Sequence, residues 1–396
     1  MMTEKEITDA LKYPCQAWDA EPCLGSIYGE EEIEAAVAAI RSSMNFKEGF
    51  GFSSEPIMEF EKAVAEYVGV KEAIAVNSCG PGQDILFRYL NLQPGDEVIV
   101  PSINYDSAPL AVIGAGGTVV WGESRASDYL LDPEDVERKI TPRTRAIFPV
   151  HIHGNSAPMD EYIEIANRHP HPVYGPPKVI ADAARGMGGD YKGTKIGKLG
   201  YASSYSLHTM KNMTTLGEGG LVVTDDSDFA AWARRVRMYG RAVGAWGTSN
   251  VMTKVQAAVG LVQLKKLDSF IANRRRVAAE RNELLADLPE VSLPINGRTD
   301  EGSFYLYCLT LCDSFAGEKR DMLIKIMKER YNIACWVANP PIYEVSPYLA
   351  KMVKGTTPFS GKLARKIICV PIHPAMTSEE NRYIAAAFIK CVQDLR

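Results

Sequence analysis

Between about residue 70 and residue 240 the chain repeats one unit: a short apolar run, a turn, then a stretch with helical spacing. The runs lie at 73–76, 97–100, 118–121, 146–150, 179–181, 201–206 and 221–224, with helices expected to begin near Gly82, Pro133, Met159 and Asp228. Runs without in/out alternation are strands buried on both faces, and helices between them make the sheet largely parallel. The expected class is α/β, with a seven-stranded, mainly parallel sheet. Open sheets of this kind build their sites in the loops at the carboxyl ends of the strands. That edge is where the chemistry belongs.

The pattern changes near Val251. Apolar residues at Val255, Ala258, Val259, Val262, Leu267, Phe270 and Ile271 recur at helical spacing and continue toward Leu285, predicting one long helix. Strands near 305–311 and 366–370 then alternate with helices, which reads as a smaller α+β domain. With 396 residues, two domains are expected. Their bounds are set at 29–265 and 266–396, after an N-terminal arm at 1–28. A net charge of −5 and a pI near 5.8 leave no basic excess for nucleic acid or an anionic membrane. The weakly polar stretch 108–121 is too short to span a bilayer, and 1–9 lacks an apolar signal core, so a cytosolic chain is expected. Eight cysteines without a C-x-x-C pair argue against a disulfide framework and a zinc site.

Three places carry candidate chemistry. The turn Asn77-Ser78-Cys79-Gly80-Pro81-Gly82 joins a strand to a helix, whose unpaired N–H groups suit an anion such as phosphate; an ordinary turn explains it equally well. It is neither G-x-G-x-x-G nor a Walker A loop, which counts against NAD and ATP. Asp182 ends an apolar run and either holds a protonated ring nitrogen or caps a helix beginning at Ala183. Lys211 follows a strand in a small, polar setting before the turn Gly217-Glu218-Gly219-Gly220. A lysine kept from water can lose its proton and become a nucleophile able to form a Schiff base; a solvated surface lysine is the competing reading. His151 and His153 on a strand would face one side, but no third metal ligand presents itself, so no metal is expected. His208 either contacts substrate or packs in its loop. Arg274 to Arg276 are expected on a solvated helix face.

In order and spacing these features form a set: the Ser/Gly turn, Tyr105 after a strand, Asp182 at a strand end, and Ser206 five residues before Lys211. With Gly95 to Ser102, Asp182-Ala183-Ala184, Gly217 to Gly220 and Gln256-Ala257-Ala258, the chain from about Gly29 onward resembles the DegT/DnrJ/EryC1/StrS family of sugar aminotransferases, which use pyridoxal 5'-phosphate (PLP) on the aspartate-aminotransferase fold, type I. The resemblance implies that Lys211 binds the cofactor covalently and that Asp182 pairs with its pyridine nitrogen. It further implies that Tyr105 stacks on the ring, while Ser206 and the Ser78-Cys79-Gly80 turn hold the phosphate. Four positions depart from the family pattern. Cys79-Gly80 replaces Gly-Thr. Arg185 replaces Gln or His and is expected to touch the cofactor's phenolic oxygen or an anionic substrate group. Val251 replaces a polar residue in the segment that reaches the neighbouring subunit's phosphate, where Asn250 is the substitute. Gly51 to Pro56 only approximates the substrate-side turn.

The function so implied is transfer of an amino group from glutamate or glutamine to a ketone on a sugar, nucleotide-linked sugar or cyclitol, by a homodimer. The alternative is a relative with diverged PLP chemistry: dehydration, elimination or decarboxylation. Dehydratases of the family carry histidine where Lys211 stands. A Rossmann-type dehydrogenase would explain the sheet but not the lysine stretch, and a non-catalytic interaction protein would not need Lys211, Asp182 and Ser206 together. Aromatic residues around Phe46 to Phe52, or Tyr343 and Tyr348, are candidates for the acceptor pocket.

Overall fold

The computed structural model describes residues 2–13, 17–51, 53–297 and 301–396; Phe52 of the expected acceptor pocket lies outside them. The seven apolar runs form seven strands: β1 (Glu72–Val76), β2 (Glu97–Pro101), β3 (Thr118–Gly122), β4 (Thr144–Ile147), β5 (Lys178–Asp182), β6 (Ala202–Ser206) and β7 (Gly220–Thr224). They make one sheet in the order β1-β7-β6-β5-β4-β2-β3. Pairing is parallel throughout β6-β5-β4-β2-β3, whereas β7 runs antiparallel to both β1 and β6. The mainly parallel seven-stranded sheet is therefore present, with one reversed strand that the apolar runs do not distinguish.

Two apolar layers cover this sheet. On one side Ile74, Val98, Val100, Phe148, Ile180 and Val222 pack with Ile85, Leu86 and Phe229 from helices. On the other, Ala73, Ala75, Tyr205, Leu221 and Val223 pack with Phe60, Val64 and Leu267. Alternate residues of each strand face opposite layers, and both faces are dry. That is why the runs are continuous in sequence. Helix starts follow the chemistry of their first residues. Asp132 accepts from Glu134 N–H just before Pro133, and Asp226 accepts from Phe229 N–H before Asp228.

The long helix is Lys254–Leu285, opened by a reciprocal Thr253–Gln256 capping box. Beyond it, Val291–Ser292, Tyr307–Leu311 and Ile367–Val370 form a three-stranded antiparallel sheet. The helices Glu318–Tyr331 and Ser378–Asp394 pack with it around Leu309, Leu323, Ile368, Ile384 and Phe388. The first helix, Glu4–Ala10, contributes Ile7 to the same core, and Trp18–Asp19 pairs in parallel with Ile333–Ala334.

Two expectations about polar residues are corrected. Arg274 is not on a solvated face: it is 1% exposed and donates to the carbonyls of Phe304, Tyr305, Ile372 and Gly25. A guanidinium with several carbonyl acceptors satisfies its donors without water. His151 and His153 are not on a strand. β4 stops at Ile147, and His153 lies in a 3-10 turn with φ 59°, so strand alternation does not apply to the pair. Burial pushes both imidazoles down, His151 to about 4 and His153 to about 3.

Candidate active site

The ends of β1, β2, β5 and β6 open on one edge of the sheet, joined there by the start of the reversed β7. Four of the segments expected to carry chemistry follow those ends: Ser78 to Gly80, Tyr105, Asp182 with Arg185, and Ser206 with Lys211.

β1 runs into the helix Cys79–Tyr89, for which Ser78 is the N-cap without capping by its side chain. The first N–H groups of that helix are left for another acceptor. Strand β7 presses on this turn. A Cβ at Gly220 would fall 2.5 Å from the Ser78 carbonyl carbon and 2.6 Å from Cys79 N, so only glycine fits. Ser78 Oγ donates to the carboxylate of Glu218 at 3.2 Å, and His208 Nε2 lies 3.9 Å from that same carboxylate. The turn thus already faces an anionic group. Cys79 is buried, its thiol pushed well up by burial and by nearby Asp182. Ser206 is also buried, with Oγ 3.4 Å from His208 N.

Asp182 closes β5 and is 3% exposed. No helix begins at Ala183, where the chain makes successive turns, so the capping role is corrected. Its Oδ1 still accepts from Ala184 N at 2.9 Å, and Oδ2 accepts from Gln83 Nε2 at 2.9 Å. Burial raises the carboxyl above the usual range, while these hydrogen bonds, Arg185 and Lys211 pull the other way.

Lys211 sits in the loop between β6 and β7, its N–H bonded to His208 O at 2.8 Å. Its amine lies 3.3 Å from Tyr305 Oη and 4.6 Å from that ring's centroid. Burial, then the Arg185 charge, lower it to about 8, against opposing pulls from Glu21, Cys79 and Asp182. Residues 23–28 lie over this loop: Gly25 N donates to Thr209 O at 2.9 Å, Thr209 Oγ1 to Cys23 O, and Thr214 Oγ1 to Tyr28 Oη. A side chain at Gly25 would collide with the carbonyls of Met210 and Lys211.

Arg185 is buried, donates to Asn339 Oδ1 at 2.6 Å and lies 5.5 Å from the Tyr305 ring centroid. Tyr105 is the exposed member, at 62%. Asn250 is buried against the chain's own Ser/Gly turn, its carbonyl accepting from Asn77 N at 3.0 Å. Three residues at this edge carry no signal in the sequence reading. Gln83 sits one residue past the turn, whereas Tyr305 and Asn339 arrive from the distant C-terminal part of the chain.

Over 338 residues the chain is 35% identical to the GDP-perosamine synthase of Caulobacter vibrioides, covering 83% of this chain and 88% of that one. Over 350 residues it is 34% identical to the dTDP-3-amino-3,4,6-trideoxy-alpha-D-glucose transaminase of Streptomyces venezuelae, covering 87% of each. Among solved structures, S. venezuelae DesV superposes with a TM-score of 0.80 at 32% identity, over 92% of this chain and 95% of DesV. Helicobacter pylori PseC shares the fold, with a TM-score of 0.85 at 22% identity, over 96% of this chain and all of its own. The model of one family matches residues 28–389, and with these relatives it establishes that the chain is a member of the DegT/DnrJ/EryC1/StrS aminotransferase family, enzymes that depend on PLP.

Proposed function

We propose that this aminotransferase moves an amino group from glutamate or glutamine to a ketone on a nucleotide-linked sugar or a related sugar or cyclitol, working as a cytosolic homodimer. The carrying observation is the part-buried Lys211 amine, which lies on the same strand-end edge as Asp182 and is lowered to about 8. The acceptor class is drawn from the two relatives named for nucleotide-linked sugars. Exposed Met44, Phe46 and Trp246 support a second subunit, because large apolar side chains in water favour association. Residues 29–265 would form the large domain and 266–396 the small α+β domain, with 1–28 as an arm.

The residues present suit PLP. The helix start at Cys79 offers uncapped N–H groups, and the glycine at 220 lets the backbone close in. In this reading Ser78, Cys79, Gly80 and Ser206 hold the phosphate, and Asn250 helps hold the neighbouring subunit's. Tyr105 would cover the ring, Asp182 would pair with the ring nitrogen, and Arg185 would meet the phenolic oxygen or an anionic group of the substrate. When bound, the cofactor supplies an aldehyde to carry the amino group and a ring that withdraws electrons from the substrate carbon. Lys211 would lose its proton to act as the nucleophile toward that aldehyde, and its free amine would hold and carry the proton at the reacting carbon. Asp182 favours a protonated ring nitrogen by its charge.

Purified protein given PLP turns yellow, and borohydride fixes the cofactor's mass on the peptide containing Lys211. A colourless protein, or a label elsewhere, refutes the proposal. Assays with keto-sugar nucleotides and either donor then fix the substrate pair.

The pH dependence follows from the amine. Neutral lysine is the nucleophile, so cofactor capture by cofactor-free protein should rise with pH and reach half its maximum near pH 8, far below the ordinary 10.5. Arg185→Gln removes a repelling cation and should move the midpoint upward. Stopped-flow capture rates between pH 6 and pH 10 check both; a wild-type midpoint above pH 10 would mean a solvated lysine.

A further inference from the structure

We propose that Tyr305 is a positioning residue for the reacting amine: its hydroxyl and ring face hold Lys211 Nζ at the sheet edge and make its charged form tolerable there. This rests on the reading of Lys211 given above.

The direct evidence is contact. Tyr305 Oη is 3.3 Å from Nζ, and the ring centroid is 4.6 Å away, within range for a cation against an aromatic face. The charged and titratable groups that act on Lys211 are Arg185, which opposes its protonation, and Glu21, Cys79 and Asp182, which favour it. None of these four has a hydrogen bond to Nζ; Tyr305 does. An amine that must alternate between neutral and protonated states needs burial to release the proton and a partner that lets it return. Burial and Arg185 supply the first, and Tyr305 supplies the second.

The second line of evidence is how firmly Tyr305 is held. Ser303 Oγ donates to Arg185 O at 2.6 Å, Ser303 N to Gly154 O at 2.8 Å, and Leu306 N to His153 O at 3.0 Å. Buried Arg274 clamps the carbonyls of Phe304 and Tyr305 at 3.0 and 3.3 Å. Between these ties Phe304 has φ 47°, a conformation rare for a residue with a side chain. Such a conformation persists only where its surroundings enforce it, and it marks positions where geometry matters. The ring is further flanked by the Arg185 guanidinium at 5.5 Å from its centroid. Contact, clamp and strained neighbour all converge on where this ring stands.

The test is competitive labelling of the full-length, cofactor-free chain with trace acetic anhydride across pH, with Lys211 read by peptide mass spectrometry. Wild type should label with a midpoint near pH 8. Tyr305→Phe loses the hydroxyl but keeps the ring, and its midpoint should fall by about half a pH unit, roughly a threefold change in the neutral fraction. Tyr305→Leu loses both and should fall further. A purely structural role would lower melting temperature and leave the midpoint alone. An unmoved or raised midpoint in a folded Tyr305→Phe protein overturns the proposal. If Tyr305→Leu does not fold, the Phe variant, which preserves the packing, decides alone. Wild-type protein that takes up no PLP would refute the functional reading and leave the labelling result standing.

Discussion

Replacing Lys211 with alanine should abolish amino transfer, lowering kcat by at least about four orders of magnitude, because it removes the nucleophile and the proton carrier together. The loss should not come from unfolding. Among the described residues Lys211 makes one side-chain hydrogen bond, to Tyr305, and desolvation of its part-buried amine is a burden on the cofactor-free fold. Deleting it should therefore leave the melting temperature of cofactor-free protein unchanged or slightly raised. Three measurements separate this outcome from a trivial one: single-turnover rates, a thermal melt, and retention of PLP released by acid but not fixed by borohydride. A small primary amine in the buffer should restore part of the rate, since only proton transfer and amine exchange are missing. Alanine-variant activity within tenfold of wild type would remove Lys211 from the mechanism.

The strands and the long helix were legible because burial on two faces writes continuous apolar runs and burial on one side writes helical spacing. The reversed β7 was not. A buried run such as 221–224 is equally apolar in either direction, and only its neighbours set its sense. The positions of Asp182 and Lys211 near strand ends could be read locally, since Asp182 ends one run and Lys211 stands five residues after another. The burial of Arg274 is written in its spacing: it stands four residues after Phe270 and three before Val277, on the buried stripe of the long helix. Arginine's usual preference for water opposes that period, and the carbonyls that satisfy Arg274 come from parts of the chain that the helix sequence does not reveal. Tyr305 and Asn339 belong to the same class of hidden information. Each lies more than 90 residues from its partner at the site, |i−j| being 94 for Tyr305 with Lys211 and 154 for Asn339 with Arg185. No local pattern encodes contacts that the tertiary fold makes.

Asp182→Asn should separate activity from stability in opposite directions. The carboxylate is fully buried and its pKa is raised, so with no ring nitrogen facing it the negative charge costs the fold free energy. Asparagine keeps the shape. Its oxygen can still accept from Ala184 N, and its amide can donate to Gln83 if that side chain turns its amide over. The turn exchanges one unpartnered buried atom for another, because among the described residues Gln83 Oε1 has no partner while its Nε2 serves Asp182 and Ser204. Cofactor-free Asp182→Asn should consequently melt no lower than wild type. A neutral amide cannot hold the ring nitrogen protonated, however, so the electron demand at the substrate carbon is lost. Removing one preorganised electrostatic contact of this kind lowers rates by about 10²–10³-fold, and kcat should fall by that order while the donor's KM changes little. Substituting PLP with an analogue that carries a permanent positive charge on the ring nitrogen should recover much of the loss in the variant and little in wild type. If the variant keeps its kcat, or if the charged analogue rescues nothing, Asp182 acts as a structural turn residue at the end of β5 and the ring nitrogen is served by another group.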